Sequence, residues 1–549
     1  MQIGTQASPS YRSTIGRFMT DLTDLVVSRL RDIGVRAIFG VPGGGGNLDL
    51  IEAAGRAGLP FVLTSTETGG AIAALAQAEV TGRPGACLAT LGPGAASLVN
   101  GVACALLDRA PVLVFTDSHP RSARGAYTHQ QLDHGALFAP ITRWTGCLST
   151  ENAGRTIDEA IREVLSVPPG PVHVDWPGDA TSSGELEAPA ARALPEDASS
   201  PYARDRLAAL ISAARKPVVI IGLGARTAGD AAAIRALCER RGVPALVTYK
   251  AKGVVPDGHR CFGGVFTNAA IERTVVDESD LIIGLGLDPV ELIPRPWPYQ
   301  QPAVYVGRWR VPEAQVPFAA QYITDVAGGV GEIDAWLSDS SWDLDALARQ
   351  RERQLRSIDV PAGGLTAQRV VQLAAARFAP ERRVTVDAGA HMVPATMLWP
   401  VAEPNGMLIS NGLSTMGFAL PAAIGAALAD RSRPVVALTG DGGLLMCLSE
   451  FATAVREKLP VVTIVFGDDS LSLIEIKQQD RRYQPAGVAL GPVNWPGVAD
   501  GFGLTPFVAH TEAELARALD EAAACTGPSL IDARIDRANY AGMFQAVRG

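Results

Sequence analysis

Residues 435–468 read VVALTGDGGLLMCLSEFATAVREKLPVVTIVFGD, and their reading decides the fold. An apolar run closes on Gly440-Asp441-Gly442; the stretch up to Phe466 reads as one helix followed by one strand, and Asp468 ends it. A strand–turn–helix–strand unit brings the chain back beside its starting strand, so both turns emerge at the same end of a parallel sheet. Asp441 and Asp468 are hard oxygen ligands placed at that end, and the glycines let backbone approach closely. That combination suits a Mg²⁺ that keeps its remaining positions for phosphate oxygens.

The same alternation of short Val/Ile/Leu-rich strands with Ala/Leu-rich helical patterns recurs outward along the chain in three stretches. RAIFGV, GACLAT and PVLVFT lie in the first, KPVVIIGLG, PALVTYK, DLIIGLG and AVYVGRW in the second, RVTVDAG, PVVALTG, PVVTIVF and PSLIDARI in the third. Near-continuous apolar strands imply sheets covered on both faces. The expected architecture is α/β, with three consecutive doubly wound parallel-sheet domains at 16–182, 203–338 and 366–549. GDATSSGELEAPAARALPEDASS reads as an exposed linker between the first two, and DLDALARQRERQLRS as a charged helical crossover before the third.

A chain of 549 residues is too long for one core, and 47% hydrophobic with 19% charged residues is an ordinary globular balance. The formal charge of −9 is dispersed, without a basic stripe, which argues against nucleic acid or an anionic membrane as partner. Seven cysteines are scattered with no CxxC pair, which favours a reducing cytoplasm. The polar start lacks a secretory pattern. No apolar run reaches the ~18–20 residues of a membrane span; GFALPAAIGAALA reads as a buried helix. Gly222-Leu-Gly224 lacks the third glycine of a dinucleotide fingerprint, Thr227 standing there, and reads as a tight βα turn.

A second constellation lies in the first stretch. Glu67 opens an Ala-rich helix after an apolar strand, and Thr90-Leu-Gly92-Pro-Gly94 places a glycine-rich turn between the next strand and helix. Taken with the GDG unit, this order resembles the thiamin diphosphate-dependent enzymes, in their acetolactate synthase-like branch, from about Gly40 to Arg534. The resemblance implies a pyrimidine-binding, a middle and a diphosphate-binding domain, with active sites shared between two subunits of a homodimer or homotetramer. By position, Glu67 matches the glutamate that hydrogen-bonds N1′ of the aminopyrimidine and promotes the tautomer that deprotonates C2. Ser414 would accept from the 4′-amino group through its carbonyl, and Met416 would wedge between the two rings, bringing N4′ to C2. His391 and Gly440, Asp441, Gly442 and Gly443 would hold the diphosphate. Asp441, Asp468 and the Ser470 carbonyl would hold Mg²⁺. Gly44, in the Val41-Pro-Gly43-Gly44-Gly45-Gly46 loop, would leave room at the reacting carbon, and Gln130 would touch substrate.

The chain departs from that family where substrate should sit. His129 and Gln131 stand for Phe and Glu, Lys477 for a pocket tryptophan, Asp468 and Gly467 for the more usual Asn, and Ala390 for Gln. The implied activity is decarboxylation of a 2-oxo acid and transfer of the enamine to a carbonyl acceptor. The alternatives are a non-ligating 2-oxo-acid decarboxylase or a catalytically silent cofactor-binding subunit. The arginine and glycine signals of flavin-binding relatives are not found in GLGLDPVELIPRPW, so FAD is possible but not expected.

Overall fold

The computed structural model describes residues 22–123, 126, 128–149, 151–180, 201–360, 362–380 and 382–549. The expected domain start at residue 16, its end at 182 and nearly all of the linker lie outside them. The described residues form three six-stranded sheets. Strands β1 (Ile38–Gly40), β2 (Phe61–Leu63), β3 (Gly85–Ala89), β4 (Val112–Ser118), β5 (Trp144–Cys147) and β6 (Val172–Pro177) form the first, in the order β2-β1-β3-β4-β6-β5. The second contains β7 (Pro217–Ile221), β8 (Ala245–Val247), β9 (Phe262–Val265), β10 (Leu281–Leu285), β11 (Ala303–Gly307) and β12 (Phe318–Ile323), ordered β12-β11-β10-β7-β8-β9. The third contains β13 (Arg383–Val386), β14 (Met407–Ile409), β15 (Val435–Gly440), β16 (Val461–Gly467), β17 (Thr505–Ala509) and β18 (Ser529–Arg534), ordered β14-β13-β15-β16-β18-β17. Neighbouring strands run parallel. The expected α/β architecture of parallel sheets is what the chain adopts.

The third sheet repeats the spatial order of the first, β13 standing for β1 and β15 for β3. In both, the order reverses between those two strands. Crevices outside the carboxyl ends of strands at such switch points are where α/β sheets take ligands. β1 and β3 lead into the 43–46 loop and the Gly92 turn; β13 and β15 lead into Asp387 and Asp441.

First and third domains share one apolar core. Helix Glu67–Thr81 crosses helix Ala419–Ala429 so closely that a Cβ at Gly425 would stand 2.2 Å from the Ala73 carbonyl oxygen. Small residues permit this, and it explains why GFALPAAIGAALA is apolar all round: Pro421 lies in the first turn, where no backbone donor is needed.

One expectation is corrected. The segment after Asp441 is not a single helix but helix Asp441–Cys447, a 3₁₀ turn Leu448–Glu450 and helix Phe451–Arg456. The break has a cause in the first domain: buried Glu450 accepts from Ser65 N–H (3.1 Å) and Thr66 N–H (3.0 Å), and the Ser449 carbonyl from Ser65 Oγ (2.7 Å). A continuous helix would carry these groups away from that contact.

Candidate functional site

At the switch point of the third sheet a cavity of about 450 Å³ is lined by His391, Ser414, Met416, Gly440, Asp441, Gly442, Gly443, Asp468 and Ser470. Every site residue expected in the third domain therefore meets in one place. Asp441 opens its helix directly from β15 and is buried. Its Oδ1 accepts from Gly442 N–H (2.8 Å), and its Oδ2 from the backbone N–H of Asp468 (3.2 Å) and Asp469 (2.6 Å). Asp468 accepts in turn from Ser470 N–H (3.2 Å) and Ser472 Oγ (2.5 Å). The two carboxylates are thus oriented by fixed donors at the ends of adjacent strands. Burial pushes both above the usual carboxylate range, Asp468 to about 6, with the neighbouring Asp441 charge adding to its shift. A cation between them would relieve that repulsion.

Ser470 pairs antiparallel with Ala489, but the bonds across that pair belong to Asp469 and Leu471. By strand alternation the Ser470 carbonyl therefore points away from Ala489.

His391 is buried, stacked on Phe466 with ring centroids 5.0 Å apart, and burial holds it neutral, with a pKa near 4. Its Nε2 is itself buried and has no hydrogen-bond partner among the described residues, an uncommon state for a ring nitrogen. At Gly442 and Gly443 a Cβ would meet Leu471 Cδ2 at 2.6 Å and Asp387 Oδ2 at 2.7 Å, so a side chain there would displace these neighbours. Ser414 holds φ +54, a left-handed conformation that costs a non-glycine residue about 1 kcal/mol or more and turns its carbonyl out of the regular path. Orphaned nitrogen, acidic pair and closely approaching backbone together fit an Mg–diphosphate group.

The residues expected from the first domain form a second constellation, at the equivalent end of the first sheet. A Cβ on Gly94 would stand 2.9 Å from Thr90 Cγ2 and 3.1 Å from Glu67 Oε1; one on Gly43 would meet Thr90 Oγ1 at 2.2 Å. Gly92, at φ +66, backs onto Gln130, which is itself at φ +56. Gly44, Glu67 and Gln130 are thus linked through the Thr90–Gly94 turn. Gly44 is exposed, and a Cβ there would meet nothing within 4 Å. None of these residues lines the cavity around Asp441, whose lining begins at Ile293. The chain thus carries two groups of expected site residues, one at the third sheet and one at the first.

Several residues that shape these groups carry no local signal. Asp387 is buried and accepts from Thr439 Oγ1 (3.0 Å), Ala388 N–H (2.8 Å) and Gly417 N–H (3.2 Å), tying β13, β15 and the Met416 segment together. Asp117 supports the glycine loop by accepting from Asn47 N–H (2.8 Å), and burial raises it to about 6. His134 Nε2 accepts from Gly92 N–H (3.2 Å), so Nδ1 carries the proton and donates to Asp175 (2.9 Å). Thr116 Oγ1 also donates to Asp175 (3.0 Å) and receives His173 Nε2 (2.8 Å), while Thr145 Oγ1 contacts His173 Nδ1 (2.7 Å). A polar residue in an apolar strand, such as Asp175 in VHVDW, is the one signal available for this network.

In the middle domain the Gly222-Leu-Gly224 amides are already used. Leu223 N–H donates to Glu291 (2.8 Å) and Gly224 N–H to the Gly286 carbonyl (2.9 Å). The reading as a tight turn accords with this, since a phosphate-cradling turn presents free amides.

Three family models match the chain in order. Residues 20–137 match the N-terminal TPP binding domain of thiamine pyrophosphate enzymes, 204–306 their central domain and 387–533 their C-terminal TPP binding domain. Across 96% of both chains it is 30% identical to the acetolactate synthase isozyme 1 large subunit of Escherichia coli (strain K12). It is 29% identical to the acetolactate synthase of Bacillus subtilis (strain 168), over 93% of each chain. With the catabolic acetolactate synthase of Raoultella terrigena it shares 30% over 93% of this chain and 94% of the relative.

Proposed function

The chain belongs to the thiamine pyrophosphate enzyme family, and we propose that it is a carboligase, decarboxylating a 2-oxo acid and joining the remaining acyl fragment to a carbonyl acceptor. The observation that carries this reading is the cavity in which buried Asp441 and Asp468, the unpartnered His391 Nε2 and the Gly440–Gly443 turn converge. Bound thiamin diphosphate supplies an electron sink at C2 of its thiazolium ring. Asp441, Asp468 and the Ser470 carbonyl would hold Mg²⁺, and His391 would stand beside the diphosphate. The Ser414 carbonyl would accept from the 4′-amino group, and Met416 would pack against the cofactor between its two rings. Glu67 would hold a proton at N1′ of the pyrimidine, and Gly44 would leave space for the acceptor beside Gln130.

Because Glu67, Gly44 and Gln130 stand apart from the Asp441 cavity in one chain, a complete site is built from the first domain of one subunit and the third of another. Exposed apolar side chains flank both halves and suit burial in such a contact: Leu48 (49% exposed) and Leu132 (51%) on one, Met446 (62%) on the other. We place the protein in the cytoplasm, in keeping with seven free cysteines. No helix among the described residues is long and apolar enough to cross a membrane. The engaged Gly222–Gly224 amides support function without obligatory FAD.

The test is a panel of 2-oxo acids with and without aldehyde or 2-oxo-acid acceptors, reading CO₂ release and product mass. Ligated products support the carboligase. CO₂ with only the aldehyde of the donor supports simple decarboxylation, and no CO₂ from any donor supports a silent subunit.

A further inference from the structure

Three polar residues recur at four-residue spacing on helix Pro93–Leu107 and its C-cap: Asn100, Cys104 and Asp108. At that spacing they share one face of the helix. All three contact the same segment of the third domain, residues 410–415. Asn100 Oδ1 accepts from Thr415 Oγ1 (2.9 Å), Cys104 Sγ lies 3.2 Å from Ser410 Oγ, and Asp108 Oδ1 accepts from Gly412 N–H (2.9 Å) and Asn411 N–H (3.2 Å). Ser410 Oγ also accepts from Thr415 N–H (3.0 Å). Ser414, at φ +54, is therefore fixed on both sides, by residues 411 and 412 before it and by Thr415 after it. A strained residue persists only where its surroundings over-determine it.

Behind the stripe stands Lys250, from the middle domain and 1% exposed. Its Nζ lies 3.2 Å from Asp108, 2.8 Å from Glu79 and 2.9 Å from the Ile409 carbonyl, so it touches all three domains. Arg226 completes the cluster on Glu79 (3.1 Å), giving two cations for two buried carboxylates. Burial pushes the Asp108 carboxyl up and Lys250 opposes this, while its Oδ1 accepts from two backbone amides. No residue of this cluster lines the cavity around Asp441.

We propose that Lys250, Asp108 and Ser410 are positioning residues that hold the 410–416 segment in the one conformation that presents Ser414 and Met416 to the cofactor. The proposal rests on the reading of those two residues given above. Three domains of one chain thus set the geometry of a turn to which only the third contributes atoms.

The test uses the full-length protein with thiamin diphosphate and Mg²⁺. Cofactor affinity is read by quenching of intrinsic fluorescence, and function by C2 hydrogen–deuterium exchange at saturating cofactor. Ser410→Ala, which deletes only the oxygen receiving Thr415 N–H and the Cys104 contact, is expected to weaken affinity roughly three- to tenfold and slow exchange. Lys250→Met, which leaves a buried carboxylate uncompensated, is expected to cost more than about tenfold in both. Adding Asp108→Asn to Lys250→Met rebalances the charge and keeps an oxygen for Gly412 N–H, so it should recover most of both losses. A folded Ser410→Ala protein with wild-type affinity and exchange overturns the proposal, whatever becomes of Lys250→Met. A Lys250→Met protein of lower melting temperature that binds and exchanges like wild type also overturns it, leaving the cluster a strut. If the wild-type protein binds no thiamin diphosphate, the reading of the cavity falls, and this proposal with it.

Discussion

Glu67 occupies the first position of its helix, where the Thr66 hydroxyl caps Gly69 N–H (3.0 Å) and Glu450 receives the amides just before it. Its backbone is thus fixed by neighbours while its carboxylate stays half-buried beside Gly94. Replacing the acid by an amide of the same shape should leave these contacts alone. Glu67→Gln is expected to bind Mg–thiamin diphosphate within about threefold of wild type but to slow C2 hydrogen–deuterium exchange by about 100-fold or more, the scale of a lost general acid–base. Unchanged exchange in the bound cofactor would remove Glu67 from the reaction. Asp441 could be picked out in the sequence by the spacing of its turn from Asp468, and Met416 and Glu67 through the family resemblance. Asp387, Asp117 and His134 could not, because each acts through partners brought from other strands.

Between elements, two contacts make predictions. Helices Glu67–Thr81 and Ala419–Ala429 cross with Gly425 against the Ala73 carbonyl, where a methyl group has no room. Gly425→Ala should therefore force the first and third domains apart locally, costing about 1–3 kcal/mol as overpacking does, despite alanine's better helix propensity. A melting temperature equal to or above wild type would show that the crossing is looser than described. His173 on β6 is buried, its pKa depressed by that burial to about 3 against a usual value near 6.5. Between those values the unfolded chain takes up a proton that the folded chain refuses, so this residue's contribution falls as pH drops from about 6.5 towards 3. His173→Asn, which retains hydrogen-bonding groups for Thr116 and Thr145, should flatten the acid side of the melting-temperature profile. Parallel profiles for variant and wild type across that window would rule the histidine out as the source.

For the whole molecule, the shared-site reading proposed above predicts that activity belongs to an assembly of at least two copies. Sedimentation at rising concentration should show active protein at twice the 57.4 kDa chain mass or above, with thiamin diphosphate and Mg²⁺ shifting the balance towards it. Full activity in a species of single-chain mass would refute the shared site.

The sequence by itself determined the architecture and the chemistry. Apolar strands alternating with amphipathic or small-residue helices leave parallel sheets as the favoured way to bury both faces, and GDG with a second acidic turn one βα unit later puts Asp441 and Asp468 at one end of the third sheet. Only the tertiary structure decided that the Asp441 helix breaks at Glu450, that Glu67 lies apart from Asp441 in one chain, and that Lys250 meets Asp108 and Glu79. Those outcomes depend on side chains hundreds of residues apart competing for the same buried donors and charges. Local propensity and spacing carry no record of that competition, because each partner looks ordinary until the domains close on it.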